Sequence, residues 1–170
     1  MASRTDWVLR KQRIGTDLEL EVLEDRHVRE LFALVEANRA HLRQWLPWVD
    51  GNRSIDDSRA FVADVRKQIS EHNGFSLAIR HQKRLVGVVG IHHINWNNSF
   101  TSIGYWLAQD AQGKGIMTLA CQPLIDHLFN TVKLHRIEIR CAVGNHRSRA
   151  IPERLGFTNE GVARNGEWLN

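Results

Sequence analysis

Residues 102–118 read SIGYWLAQDAQGKGIMT, and this stretch decides the fold. Its first part belongs to a short run, residues 99–107, rich in the aromatic and branched side chains that suit a strand. Its last part opens a helix, because Ile116, Leu119, Ala120, Leu124, Ile125, Leu128 and Phe129 recur at helical spacing. Between the two lies QGKGI, residues 112–116. A helix N-terminus leaves backbone N–H groups without partners, and the helix dipole makes them attractive to anions. Glycine at 113 and 115 removes side chains that would keep a pyrophosphate away from those groups. A plain turn would use the same glycines for their backbone freedom. The loop is not a P-loop, because the second glycine is not followed by Lys-Ser or Lys-Thr at the required spacing. It also lacks the third glycine or alanine of a dinucleotide fingerprint.

Upstream of the loop, residues 17–24 (DLELEVLE) alternate apolar and acidic side chains, the mark of a half-buried strand. Residues 26–40 switch to helical spacing, with Val28, Leu31, Phe32 and Val35 along one face. Pro47, between Trp45 and Trp48, predicts a bend between two helices. Ser54 is placed to cap the second, with Asp56 and Asp57 in its first turn. Residues 75–80 and 85–94 read as a hairpin across HQKR, and residues 99–107 add a third antiparallel strand.

Downstream, Pro123 predicts a kink or irregular turn in the long helix. Residues 136–143 read as a strand, 147–155 as a short helix and 157–163 as another strand. The sequence stops at Asn170 where a further strand is expected to begin, so that last strand is expected to be incomplete. This order gives an α/β sandwich around a mixed sheet. With 170 residues, the reading is one domain over residues 1–170.

Composition sets limits on function. Hydrophobic residues are 42% and charged residues 25%, in the ordinary range of water-soluble domains, with no run long enough to span a bilayer. The N-terminal residues lack the apolar core of a signal peptide, and a cytoplasmic location without membrane association is expected. The formal charge of +4 is spread along the chain, which suits an anionic small ligand better than direct nucleic-acid binding. Cys121 and Cys141 have no metal-motif spacing and read as small core residues, and no metal is expected.

A second cluster lies downstream: VGNHRS, residues 143–148, followed by ERLGF, residues 153–157. Alone, Asn145 and Ser148 read as a turn residue and a helix cap. Together, the two clusters resemble the GNAT N-acetyltransferases. QGKGI resembles that family's acetyl-CoA motif, with Gln112 and Gly115 matching and Met117 in place of the final small residue. Asn145 and Ser148 resemble its Asn-x-x-Ala/Ser segment closing on Gly-Phe. With LRQWLPW, IGYWLAQDAQGKGIMT and EGVARNGEWLN, the likeness is closest to the RimJ/RimL branch of ribosomal-protein N-terminal acetyltransferases.

The resemblance implies an α/β (α+β) fold with a mixed, mainly antiparallel sheet, flanked by helices and splayed at the acetyl-CoA site. It implies cofactor contacts from Tyr105, Trp106, Leu107, Gln112, Gly113, Lys114, Gly115, Ile116, Met117, Thr118, Asn145 and Ser148. It further implies direct transfer from acetyl-CoA to a bound amine, with a backbone N–H of residues 105–107 for the developing oxyanion. Many relatives carry a tyrosine seven residues after the motif asparagine, and Pro152 stands there instead. Ser148 is therefore expected to hydrogen-bond or protonate the leaving thiolate, and Glu167 to accept the amine proton. His92 and His93 are rivals for the base, and are expected to face opposite sides of their strand. Trp45 and Trp48, beside the bend, are expected to wall the acceptor groove.

The expected acceptor is the N-terminal α-amine of a ribosomal protein. The alternatives are a small amine, such as a polyamine or an antibiotic, or a non-catalytic acetyl-CoA-binding module. A homodimer is expected from the family habit and an unpaired sheet edge.

Overall fold

A computed structural model describes residues 7–169. Six strands form one sheet: β1 (Lys11–Ile14), β2 (Leu18–Val22), β3 (Phe75–His81), β4 (Arg84–Ile91), β5 (Phe100–Leu107) and β6 (Arg136–Ile139). They lie in sequence order, antiparallel throughout except for the parallel β5–β6 pair. Four helices flank them: α1 (Val28–Leu42), α2 (Ile55–Ser70), α3 (Ile116–Asn130) and α4 (His146–Arg154). The parallel pair exists because α3 carries the chain across the sheet between β5 and β6, as a parallel crossover requires.

The alternation read in the sequence sorts side chains to the two faces. Leu20, Leu77, Val89, Ile91 and Ile103 pack with Ala120, Leu124 and Leu128 of α3. Ala78, Leu85 and Val88 pack on the other face with Val28 and Leu31 of α1 and Val62 and Val65 of α2. Ser54 caps α2 in a reciprocal capping box with Asp57. The chain turns between α1 and α2 through a 3₁₀ segment that begins at Pro47.

One polar cluster interrupts the α1 face. The buried Glu21 carboxylate accepts hydrogen bonds from Arg80 (2.6 Å), His27 (2.8 Å) and Arg26 (2.9 Å). The Glu24 backbone N–H donates to His27 Nδ1, so Nε2 carries the proton given to Glu21. This network ties β2 and β3 to the start of α1.

The structure departs from the sequence reading in four places. β1 was not expected: its KQRI sequence lacks an apolar face, and it is held as an edge strand by its pairing with β2. β6 ends at Ile139 rather than continuing to 143. Residues 157–163 form no ladder, although Glu160 of that segment pairs with Arg136 of β6. Finally, α3 runs through Pro123 as a helix, and the missing N–H costs one internal bond in a helix whose inner face is buried.

Candidate active site

The sheet opens between β5 and β6. Their pairing runs from Phe100↔Arg136 to Ile103↔Ile139 and stops. Beyond Ile139 the chain leaves the sheet, while β5 continues as Gly104–Leu107, paired only with β4. On that side, Ser102 accepts from the His92 N–H and Ala108 donates to Val86, so Ser102, Gly104, Trp106 and Ala108 direct their backbone groups at β4. By alternation, the N–H and C=O groups of Tyr105 and Leu107 point into the opening. Within the expected region 105–107, these two are the free donors, and Trp106 is committed to β4.

Past the open end of β5 comes the glycine loop. Gly113 (φ 72°) and Gly115 (φ 74°) are both left-handed, and Gly115 is the N-cap of α3. A Cβ on either would meet nothing within 4 Å, so backbone conformation rather than space calls for glycine here. The first turn of α3 carries no acidic residue, leaving the N–H groups of Ile116, Met117 and Thr118 free to take an anion. The side chains of Ile116 and Met117 point into the core, so the large Met117 does not crowd the loop. The Thr118 hydroxyl oxygen is buried without a partner among the described residues. A buried hydroxyl left in this state beside free helix N–H groups fits a bound phosphate group.

Gln112 braces the loop from both sides. Its amide nitrogen contacts His41 Nε2 on α1 at 2.8 Å, and its oxygen accepts from Arg147 of α4 at 2.9 Å. Burial, with the Arg147 charge adding to it, lowers the His41 pKa and favours the neutral ring that accepts this bond. Arg147 and the exposed Lys114 place two cations at the loop. His41 and Arg147 were missed in the sequence. His41 follows the helical run as an ordinary exposed-face residue, whereas Arg147 lies inside the second motif and could have been weighed as an anion ligand.

The opposite lip of the opening is the start of α4. Asn145 caps it, its Oδ1 accepting from the Ser148 N–H at 3.2 Å. The Asn145 amide NH₂ makes no hydrogen bond among the described residues and is left for a ligand. Tyr105 reaches across from β5, and its hydroxyl donates to the Ser148 carbonyl at 2.9 Å. The Ser148 hydroxyl lies beside the Cys141 thiol, which burial pushes up in pKa. Cys121 is a core residue as expected, but Cys141 is only half buried and borders the opening.

Tryptophans line the α1–α2 side. Trp45 packs over Gly144, where a Cβ would lie 3.7 Å from its ring. Trp48, 42% exposed, meets Trp106 of β5 with ring centroids 6.0 Å apart. The two histidines lie just past the end of β4 and meet different surroundings. His92 rests on Gly104, with Nδ1 2.9 Å from Ser102 Oγ. His93 instead lines a cavity of about 450 Å³ with Glu71, His72 and Trp96. Glu167 is exposed in the irregular segment after α4 and makes no hydrogen bond or ion pair among the described residues.

Among the described residues no group of three His, Cys, Asp or Glu side chains is arranged to hold a metal ion, and no helix is long and apolar enough to cross a membrane. The arrangement provides an anion-binding helix end, a strand edge that can pair with an extended ligand, and a hydroxyl at the far lip.

Known proteins are similar to this chain in sequence and fold. Residues 17–158 match the model of the acetyltransferase (GNAT) domain. The ribosomal-protein-serine acetyltransferase of Escherichia coli (strain K12) is 32% identical over 160 residues, covering 93% of this chain and 88% of that protein. YdaF of Bacillus subtilis (strain 168) is 35% identical over 159 residues, covering 93% of this chain and 87% of that protein. A solved structure of RimL, a ribosomal alpha-N-protein acetyltransferase in complex with coenzyme A, superposes with a TM-score of 0.91 at 32% identity, covering 95% of this chain and 91% of that one.

Proposed function

The chain belongs to the GNAT acetyltransferase family and is an acetyl-CoA-dependent N-acetyltransferase, and on that premise we propose that its acceptor is the N-terminal α-amine of a protein, a ribosomal protein foremost. The observation that carries this reading is the tryptophan pair on the α1–α2 face of β5. There the exposed Trp48 and the half-buried Trp106 form an aromatic wall near the point where the sheet opens. Such a wall suits an extended peptide end better than an enclosed pocket would. The proteins named for ribosomal acceptors support the same choice.

Acetyl-CoA supplies the thioester-activated acetyl group. The chain's own groups do the rest. The free N–H groups of α3, with Lys114 and Arg147, hold the pyrophosphate. The Tyr105 and Leu107 backbone groups and the Asn145 amide align the pantetheine arm, and one of those N–H groups stabilises charge on the carbonyl oxygen. As the C–N bond forms and the C–S bond breaks, the Ser148 hydroxyl hydrogen-bonds the departing thiolate, and its placement matters more than its acidity. The reading also includes a cytoplasmic location and a homodimer. β6 has no strand on its outer edge among the described residues, and exposed Val162 and Trp168 follow it. Light scattering that finds only monomer would remove the dimer.

The test is mass spectrometry of products after incubation with acetyl-CoA and a panel of serine- and alanine-initiated peptides, acetyl-blocked peptides and spermidine. Acetyl on the α-amine of the unblocked peptides is the expected result. Transfer to spermidine alone would replace the peptide acceptor with a small amine.

A further inference from the structure

We propose that His92 is the proton acceptor for the incoming ammonium, an inference that rests on the acetyl-transfer reading above. The face of β5 turned to α1 and α2 presents Ser102, Gly104 and Trp106 in succession. Gly104 is the first residue beyond the last β5–β6 pair, Ile103↔Ile139, so it marks where the sheet opens. The imidazole of His92 lies directly on it. A Cβ at 104 would sit 2.7 Å from His92 Cε1 and 2.9 Å from Nε2, so only glycine admits the ring at this approach.

Two hydrogen bonds fix that ring. The His92 backbone N–H donates to the Ser102 carbonyl at 2.9 Å, and Nδ1 is 2.9 Å from the Ser102 hydroxyl. Nε2 has no hydrogen-bond partner among the described residues, and His92 is exposed, so a proton taken up there can leave to solvent. Two residues along the same face, the Trp48–Trp106 pair walls the approach. Tyr105, which holds Ser148, projects to the other face of β5. The proton acceptor and the thiolate's partner thus flank β5 from opposite faces at residues 104–105. Glu167 has no comparable tie to the opening.

The neighbours packed against His92 on β5, Ser102 and Gly104, are neutral, as are Gln68 and Gly74 of the α2–β3 region near its carbonyl. The titratable groups on the flanking segments are His93, Glu71 and His72. In the step itself, the ammonium gives one proton to Nε2. The freed lone pair forms the C–N bond, and the C–S pair leaves on sulfur. The second proton that the nitrogen sheds in becoming an amide goes to that sulfur to give the CoA thiol, and the imidazolium later loses its proton to water. Neutral imidazole is suited to this near neutral pH.

The test compares wild type with His92→Gln and His92→Ala, using acetyl-CoA and a serine-initiated hexapeptide. Glutamine can keep the hydrogen bond to Ser102 but cannot accept the proton. The expected result is a fall in kcat of about 10²-fold in both variants. The KM for acetyl-CoA should be unchanged, the acidic limb of the wild-type pH profile should be lost, and added imidazole should partly restore His92→Ala. A His92→Gln enzyme with wild-type kcat and pH profile would overturn the proposal while leaving the transferase reading intact. Wild type that acetylates neither peptide nor amine would overturn that reading, and this proposal with it.

Discussion

The Tyr105 hydroxyl and the Ser148 carbonyl are joined by a 2.9 Å hydrogen bond across the mouth of the split sheet. This bond crosses the gap at the level where β5 and β6 no longer pair. Burial raises the Tyr105 pKa well above its ordinary value, so the phenol keeps its proton at any working pH. Tyr105 therefore acts as a strut for α4 rather than as an acid. Tyr105→Phe should cost about 1 kcal/mol in stability and lower kcat only several-fold, with an unchanged pH profile. Thermal unfolding and steady-state rates check both, and abolished turnover in a folded variant would instead make the phenol the acid.

Thr118 gives a prediction with two opposite signs. Its hydroxyl is buried and has no partner among the described residues, so Thr118→Val should leave the free protein as stable or slightly more stable. The same change should weaken acetyl-CoA, because the phosphate loses a donor. Unfolding scans with and without acetyl-CoA should show a smaller ligand-induced rise in Tm for the variant. An undiminished rise would place the phosphate elsewhere.

Asn145 combines two tasks that substitution can separate. Its Oδ1 caps α4 through the Ser148 N–H, and its NH₂ is free for the pantetheine. Asn145→Ala should lose both, with a stability cost of about 1 kcal/mol. Asn145→Asp should keep the cap while losing the donor, so its stability should be near wild type and its KM for acetyl-CoA raised. Equal KM values for Asn145→Asp and wild type would leave Asn145 with the capping role alone.

The polar cluster under α1 governs the acid limb of stability. Burial alone would raise the Glu21 pKa, but hydrogen bonds from Arg80, His27 and Arg26 outweigh it and lower it from 4.5 to about 2. A carboxyl with a depressed folded-state pKa contributes its stability fully above its unfolded value, and that contribution is lost as pH falls from about 4.5 towards about 2. The shift corresponds to at most about 3 kcal/mol. Glu21→Gln should be destabilised at neutral pH, and the gap to wild type should close across that window in a urea-unfolding series. A gap independent of pH would mean that Glu21 acts through packing alone.

Much of this architecture was legible in the sequence because it rests on local rules. The alternation in residues 75–107, the Ser54 cap and the glycine loop each state their structure within a few residues. The opening beyond the Ile103–Ile139 pair was expected only through the family likeness. Nothing in RIEIRCAV announces that pairing stops at Ile139, because ending a ladder depends on where the partner strand goes. β1 was illegible for a related reason, since KQRI has no inward face and is held by β2. Among the site residues, Gly115 of the loop opens α3 and Asn145 caps α4, which are local features that a short stretch of sequence can state. The nearness of His92 to Gly104 and of His41 to Gln112 depends on tertiary packing that no local pattern encodes. Glu167, chosen by resemblance, sits in a segment with no contact that fixes it near the opening.

The most direct test of the account is acceptor-dependent release of the CoA thiol from acetyl-CoA, measured for wild type and Ser148→Ala with a serine-initiated peptide. The account predicts release by wild type only when the peptide is present, and a loss of about 10²-fold in kcat for Ser148→Ala with acetyl-CoA binding retained. Equal release by the two proteins, or release indifferent to the peptide, would contradict it.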